Sequence, residues 1–332
     1  MKQTNISVFV PHNGCPHRCT FCDQRSISGA QKPPSPEETA AMLESQIPVL
    51  RKHETRAEIA FFGGSFTGIE RGYMISLLET AHRFVQDYPD VYNGIRCSTR
   101  PDFIDDGILD ILSEYGMTAV ELGAQSMNAE VLRLNERGHT PEDVEKAAGM
   151  IKKRGFSLGL QMMTGLYGDK PEYCIDTAKR FIELKADTVR IYPTVILEGT
   201  KLGELYKGGI YRTFTQEETV DLCARLLRMF GEAEIPVIRL GLHASRDVEE
   251  KMLGGVYHPA LRELCESRMF FEDMSAEMKR TGGTDFIVYT DPANISRITG
   301  QKKENRTRLA GLGYRFEIKT EKGTRLRIEN AL

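Results

Sequence analysis

The sequence has no run of apolar residues approaching the roughly eighteen that a membrane-spanning helix needs. Its N-terminus, Met-Lys-Gln-Thr-Asn-Ile, also lacks the apolar stretch of a secretory signal peptide. We therefore expect a cytoplasmic protein with no membrane partner. The 332 residues are 40% apolar and 27% charged, which is ordinary for a globular protein of one or two domains.

Cysteines paired into a disulfide framework are also missing. The chain has seven cysteines, an odd number, and four of them lie scattered at Cys97, Cys174, Cys223 and Cys265. In a reducing cytoplasm such residues are usually small buried hydrophobic side chains. The other three form a C-x3-C-x2-C run, Cys15, Cys19 and Cys22, directly after a short apolar strand.

Three clustered thiolates indicate a soft metal centre, either zinc, copper(I) or iron-sulfur. Structural zinc takes four protein ligands, and an iron-sulfur cluster normally takes four thiolates. Three thiolates without an obvious fourth ligand leave one position open, which favours chemistry over scaffolding. A zinc knuckle that borrows His12 or His17 stays an alternative interpretation.

Apolar strands alternate with segments of helical length through the first 242 residues. We predict strands at 6–10, 57–62, 94–99, 119–122, 157–163 and 188–196, and helices at 36–51, 72–86, 141–154, 171–184 and 215–231. This alternation predicts an α/β fold with a parallel sheet, arranged as a partial (β/α)6 TIM-type barrel. The unusual residues fall at C-terminal strand ends, which is the active-site face of such a barrel.

The pattern changes after residue 242. Residues 259–280 predict one long helix, followed by a strand at 286–289, two short helices and a final strand pair at 314–320 and 324–328. We expect a barrel (1–242), a helical connector packed on it (243–284) and a small basic α+β unit (285–332). From Pro292 onward, ten Lys and Arg stand against four Asp and Glu, a net charge of +6; because the whole chain carries −3, the rest carries −9.

Two features accompany the cysteines. Phe21 would place an aromatic face beside the open coordination position, which suits stacking on a purine. Gly63-Gly64, at the end of the second strand, allow backbone carbonyls to approach a ligand with an amino group, because glycine has no Cβ. A plain tight turn is the alternative for the glycine pair.

This combination resembles the radical S-adenosylmethionine (SAM) superfamily over residues 5–242. The resemblance implies a 4Fe-4S cluster on Cys15, Cys19 and Cys22 that chelates SAM at its open iron. An electron donor such as flavodoxin or ferredoxin would then allow cleavage of SAM to a 5'-deoxyadenosyl radical. The implied cofactor-binding residues are Phe21, Gly63, Gly64, Ser65, Ser98, Gln125, Arg137 and Gln161, and the candidate catalytic residues are Arg100, Glu121 and Tyr192. Ordinary polar residues at the barrel rim are the alternative for several of these.

Five segments are most similar to the radical SAM domain of the Elongator catalytic subunit, which modifies wobble uridine in tRNA. They are Ser98-Thr-Arg-Pro-Asp, Glu121-Leu-Gly-Ala-Gln-Ser, Asn135-Glu-Arg-Gly-His-Thr, Ile191-Tyr-Pro-Thr and Glu198-Gly-Thr-Lys-Leu. About ninety residues follow the barrel, fewer than a typical domain of roughly 100–150 residues, so we do not expect the acetyltransferase domain of that subunit.

The C-terminal segment resembles a KH domain. Ile298-Thr-Gly300-Gln-Lys-Lys303-Glu-Asn305 lies between two short helices, like the GXXG loop that clamps about four single-stranded nucleotides. We expect Gly300, Lys302, Lys303 and Arg306 to bind RNA. A merely solvated basic face is the alternative.

The first hypothesis is therefore a radical SAM enzyme that acts on RNA, with tRNA as partner. A second is a radical SAM oxidoreductase with a small or porphyrin-like substrate, which would leave the basic tail unexplained. A third is an RNA-binding protein whose iron-sulfur cluster senses redox state, which would give Gln125 and Arg137 no purpose.

Replacing one cysteine of the triad tests the cluster. Reconstituted anaerobically with iron, sulfide, reductant and SAM, the wild-type protein should release 5'-deoxyadenosine, and Cys19→Ala should not, because the cluster loses a ligand. Cys223→Ala, one of the scattered cysteines, is the control and should retain product formation. Equal product from the wild type and the Cys19→Ala variant would end the radical hypothesis.

Overall fold

Seven parallel strands form the main sheet of this computed structural model, which describes residues 2–11, 14–15, 19–23, 32–243 and 245–331. In their order across the sheet, the strands are Lys2–Val10 (β1), Thr55–Gly63 (β2), Tyr92–Thr99 (β3), Met117–Gln125 (β4), Ser157–Thr164 (β5), Thr188–Pro193 (β6) and Val237–Leu240 (β8). Within the described part of the chain, β1 and β8 do not pair, so the sheet is an open half-barrel. The predicted incomplete barrel is confirmed, with one strand more than the six predicted.

Helices connect the strands. They are Pro36–Lys52 (α1), Arg71–Asp87 (α2), Asp106–Glu114 (α3), Ala129–Leu134 (α4), Pro141–Lys153 (α5), Pro171–Glu183 (α6), Lys201–Lys207 (α7) and Gln216–Glu232 (α8). The start of α1 is determined locally: the Ser35 hydroxyl accepts from the Glu38 N–H, and the Glu38 carboxylate accepts from the Ser35 N–H. No helix in the described ranges is both long and apolar enough to cross a lipid bilayer.

One hydrophobic core lies between the sheet and these helices. Its fully buried members include Ile59, Phe61, Ile95, Val120 and Leu158 from the strands and Leu43, Leu77, Leu109 and Phe181 from the helices. Each such side chain contributes about 1.5–3 kcal/mol relative to exposure to water. The core thus holds the carboxyl ends of the strands, where the unusual residues lie, at one edge of the half-barrel.

The sixth predicted strand divides into two. β6 ends at Pro193, and Val195–Leu197 (β7) instead pairs antiparallel with Met252–Gly255 (β9), which follows the short helix Arg246–Lys251 (α9). The Thr194 N–H and hydroxyl both donate to the Thr164 carbonyl at the end of β5, at 2.9 and 2.8 Å, and the chain then continues into β7.

A smaller sheet follows the long predicted helix, here Leu261–Thr281 (α10). It contains Asp285–Thr290 (β10), Arg315–Thr320 (β11) and Arg327–Asn330 (β12), with the helices Ile295–Thr299 (α11) and Glu304–Gly311 (α12) between β10 and β11. The last two strands flank β10, parallel for β11 and antiparallel for β12, rather than pairing with each other as predicted. The reason is the two-helix crossover, which allows β10 and β11 to lie parallel.

Helix α10 is shared by two hydrophobic cores. Leu261 and Cys265, near its start, pack in the core of the half-barrel. Met274 and Met278, near its end, pack in the separate core of the small sheet. The division of the chain at residues 242 and 284 stays a prediction.

Candidate functional site

The cysteine segment follows β1 and is tied to two distant parts of the chain. Thr20 donates its N–H to the Asn135 carbonyl at 3.2 Å and its hydroxyl to the Asn135 Oδ1 at 2.9 Å. The Leu202 N–H donates to the Thr20 carbonyl at 2.7 Å. Cys22 closes a turn by donating its N–H to the Cys19 carbonyl at 3.1 Å. His12 and His17, the ligands that a zinc knuckle would borrow, lie outside the described residues.

Glycines allow this segment to pack closely against the end of β2. Gly14 has a φ of +73°, and a Cβ there would lie 2.2 Å from the Ser65 carbonyl oxygen. Gly63 has a φ of +114°, and its Cβ would lie 3.0 Å from the Val10 backbone. Any larger residue at Gly14 would push the cysteine segment away from its support. The backbone of β2 therefore lies close to the chain around the cysteines, and the approach of the Gly63-Gly64 carbonyls to a ligand stays a prediction.

Cys19 is buried, and Cys15 and Cys22 are partly buried. Burial, and then the neighbouring Cys19 thiol, raise the pKa of Cys15. The same causes raise the pKa of Cys22 to about 12. Among the described residues, no three His, Cys, Asp or Glu side chains are gathered as ligands of one metal ion. A thiol must lose its proton to bind a metal, so loading of this site releases protons.

A cavity of about 790 Å³ opens beside Cys22. It brings together seven predicted site residues: Phe21, Cys22, Gly63, Ser98, Gln125, Gln161 and Tyr192. Gly64, Ser65, Arg100, Glu121 and Arg137 do not line it. The remaining wall includes Phe62, Met163, Arg190, Leu242 and His243, so the cavity is apolar with a few polar groups, as small-molecule sites usually are.

The sequence profile of the Radical SAM superfamily matches residues 9–181, which is more than half of the chain. The chain belongs to the radical SAM superfamily. The profile of the Radical SAM C-terminal domain matches residues 186–270. This is therefore a SAM-dependent enzyme of a family that uses a 4Fe-4S cluster.

Individual relatives agree with this assignment. The chain is 32% identical to an uncharacterised protein of Methanocaldococcus jannaschii over 227 residues, covering 64% of this chain and 68% of the relative. It is 29% identical to Elongator complex protein 3 of Saccharomyces cerevisiae over 253 residues, covering 70% of this chain and 44% of that protein. The chain thus spans less than half the length of this Elongator relative.

Solved structures share the fold. Elp3 of the archaeon Methanocaldococcus infernus, with an N-terminal deletion, superposes with a TM-score of 0.63 at 23% identity, covering 83% of this chain and 64% of that chain. Coproporphyrinogen III oxidase of Escherichia coli superposes with a TM-score of 0.51 at 15% identity, covering 84% and 78%. At these identities the likeness supports the radical SAM fold alone.

The residues present fit the radical SAM cofactors. Cys22 and Phe21 line the cavity. Cys15 and Cys19, the other two thiols of the run, do not line it. Gln125 has a left-handed backbone (φ 66°), and its buried Oε1 accepts no hydrogen bond from the described residues. This oxygen is available to a hydroxyl or amino donor of SAM. The cluster and SAM, when bound, supply the radical chemistry, while the chain binds, orients and excludes water.

Two predicted site residues have side chains committed to the protein itself. The buried Ser65 hydroxyl lies 2.9 Å from the Thr99 hydroxyl and accepts the Arg100 N–H at 3.0 Å. The Arg100 guanidinium donates to both carboxylate oxygens of Asp102, at 2.9 and 2.8 Å. These hydrogen bonds fix the loop after β3. The catalytic assignments of Arg100, Glu121 and Tyr192 stay predictions.

Glu121, 1% exposed, lies behind the cavity wall. It accepts hydrogen bonds from Arg190 at 2.6 and 2.9 Å, from Arg96 at 2.7 Å and from Gln161 at 2.8 Å. Burial would raise the pKa of Glu121, but the two arginines and Gln161 together hold it below its ordinary value. The carboxylate is therefore charged at neutral pH. Its geometry is that of a positioning residue, because it orients Arg190 and Gln161, which line the cavity.

Sequence reasoning missed Arg96 and Arg190. Arg190 contributes to the cavity wall, with its guanidinium 5.0 Å from the centre of the Phe62 ring. Arg96 bridges Glu121 to Glu58. The available signal was a charged residue inside an otherwise apolar parallel strand. Arg190 also lies two positions before Tyr192, and hence on the same face of the strand.

The four predicted RNA-binding residues lie on the crossover between β10 and β11. Gly300 begins the loop with a φ of +76°, and Lys302 and Lys303 follow with left-handed φ values of 50° and 64°. Both lysines are exposed. The Arg306 guanidinium turns instead toward the small sheet, 4.7 Å from the centre of the Phe316 ring. The structure thus brings the two lysines together at the surface and directs Arg306 elsewhere.

Removing the Glu121 charge tests its role as the shared counter-charge of two buried arginines. Glu121→Gln should lower the free energy of unfolding by about 3–5 kcal/mol, because Arg96 and Arg190 would remain buried without their shared counter-charge. Chemical denaturation measures this. The exposed Glu44→Gln is the matched control and should stay within about 0.5 kcal/mol of the wild type. Equal stability of the two variants would contradict the role given to Glu121.

Proposed function

We propose that this protein is a radical SAM enzyme that modifies RNA, with tRNA as its substrate. The observation that carries the proposal is the pair of exposed lysines, Lys302 and Lys303, on a KH-like loop of a chain that resembles the Elongator catalytic subunit. In this proposal the basic unit holds phosphates, and the cavity beside Cys22 receives SAM together with a nucleotide. In the predicted division of the chain, the barrel (1–242) would contain the cavity and the small basic unit (285–332) would hold the phosphates. The helical connector (243–284) lies between them in the sequence.

The distribution of ion pairs supports the choice of these lysines. Of the ten basic residues after Pro292, five arginines have carboxylate partners: Arg297, Arg308, Arg315, Arg325 and Arg327. Lys302, Lys303, Arg306, Lys319 and Lys322 have no carboxylate partner among the described residues. Charges without internal partners are the ones available to phosphate oxygens.

Charge reversal at the loop should weaken binding of tRNA. Lys302→Glu/Lys303→Glu should raise the dissociation constant and reduce the slope of log K against log salt by about 1.4–1.8, since each lost phosphate contact removes about 0.7–0.9. Lys52→Glu/Lys153→Glu, two exposed lysines on barrel helices, is the matched control because its change in charge is the same. Equal weakening by both pairs would show that only overall charge matters.

The substrate itself is tested by nucleoside analysis. Total tRNA from cells that lack this protein should contain an unmodified or precursor nucleoside, detected by its mass, that the wild-type gene restores and Cys19→Ala does not. An unchanged set of tRNA nucleosides would contradict the proposal and favour a small or porphyrin-like substrate. That outcome would leave the membership in the radical SAM superfamily unaffected, because the family assignment does not depend on the substrate.

A further inference from the structure

The guanidinium of Arg137 lies between the cysteine segment and the end of β4. Its Nη1 donates to the Cys19 Sγ at 2.9 Å, and its Nη2 donates to the Gly123 carbonyl at 2.6 Å. The side chain is buried, 7% exposed, and its charge lies 5.9 Å from the centre of the Phe21 ring. Arg137 is therefore in direct contact with a cluster ligand.

Arg137 has no carboxylate partner among the residues described here, and its buried Nε has no hydrogen-bond acceptor there. A buried cation is costly unless an anion compensates it. The Arg137 Nη1 donates its hydrogen bond to the sulfur of Cys19. A hydrogen bond to an ionised acceptor, such as a thiolate, is stronger than one to a neutral acceptor. Arg137 thus places a buried positive charge directly against the sulfur of Cys19.

A single turn of the chain positions Arg137 for its contact with Cys19. The segment after α4 supplies both Asn135, whose side chain and carbonyl hold Thr20, and Arg137, whose guanidinium holds Cys19. The Asn135 amide also donates to the Tyr167 carbonyl at 2.9 Å, and Gly138 ends the turn with a φ of +72°. Two consecutive residues of the cysteine segment are therefore fixed by one buried turn, which gives the Arg137–Cys19 contact a defined position.

We propose that Arg137 raises the reduction potential of the cluster through its hydrogen bond to the Cys19 thiolate. Reduction adds one electron from an external donor and breaks no bond in the protein. The added negative charge is stabilised by the neighbouring guanidinium, because hydrogen bonds to sulfur and local charge set the potentials of iron-sulfur clusters. This role is that of a positioning residue, is independent of the RNA substrate, and differs from the SAM contact implied by the family resemblance.

Measurement of the cluster potential without SAM tests the proposal. In reconstituted full-length protein, the reduced fraction is followed by electron paramagnetic resonance against applied potential. For Arg137→Met, the ratio of reduced to oxidised cluster at a fixed potential should fall at least tenfold, which is 59 mV for a one-electron couple. For Arg137→Lys, which keeps the positive charge, this ratio should fall by a smaller factor. Arg133→Met, an exposed arginine paired with Glu130 on the preceding helix, is the control and should match the wild type.

A second readout addresses the hydrogen bond itself. The reduced wild-type cluster should show a coupled proton that exchanges with deuterium in pulsed electron-nuclear double resonance, and Arg137→Met should lose it. A potential equal to wild type in the Arg137→Met variant would overturn the proposal. Loss of the cluster from both variants, with the apo-proteins folded by circular dichroism, would also overturn it, because Arg137 would then serve assembly. Neither result depends on whether RNA is the substrate.

Discussion

The ion pairs of Glu121 are the interaction on which the interior of the half-barrel depends. Its two oxygens accept from Arg96, Arg190 and Gln161. Because Glu58 in turn balances Arg96, two carboxylates and two guanidiniums neutralise one another in a largely buried network. Such a network is stable only when every member is satisfied.

The same network orients the wall of the cavity. Gln161 donates from one amide nitrogen to Glu121 and to the Ser98 hydroxyl, so the position of Ser98 depends on a carboxylate behind it. Tyr192, which shares its strand face with Arg190, has its pKa raised by burial and so stays a hydrogen-bond donor at neutral pH. The polar groups of the site are therefore pre-oriented by protein rather than by solvent, which lowers the cost of binding a polar ligand.

How much could be predicted from sequence depends on whether the determinant is local. The start of α1 was predictable because Ser35, Pro36 and Glu38 act within one turn, and the cysteine triad was predictable because its spacing is itself the signal. The ion pair of Arg96 with Glu121 was not, because it depends on the register of neighbouring strands. The pairing of β11 and β12 with β10 was missed for the same reason: strand partners are set by the tertiary fold.

The basic tail shows most clearly how structure changes an argument from composition. A net charge of +6 suggests one diffuse basic face, yet Arg308 pairs with Glu217 of the barrel and Arg325 with Asp273 of α10. Part of the charge thus attaches the small sheet to the rest of the molecule, and Lys302 and Lys303 remain available at an exposed loop. Contacts to phosphates position a nucleic acid but carry no sequence information. In the proposed RNA complex, we expect the choice of nucleotide to be made in the cavity beside Cys22, where Glu121 orients the lining residues Gln161 and Arg190.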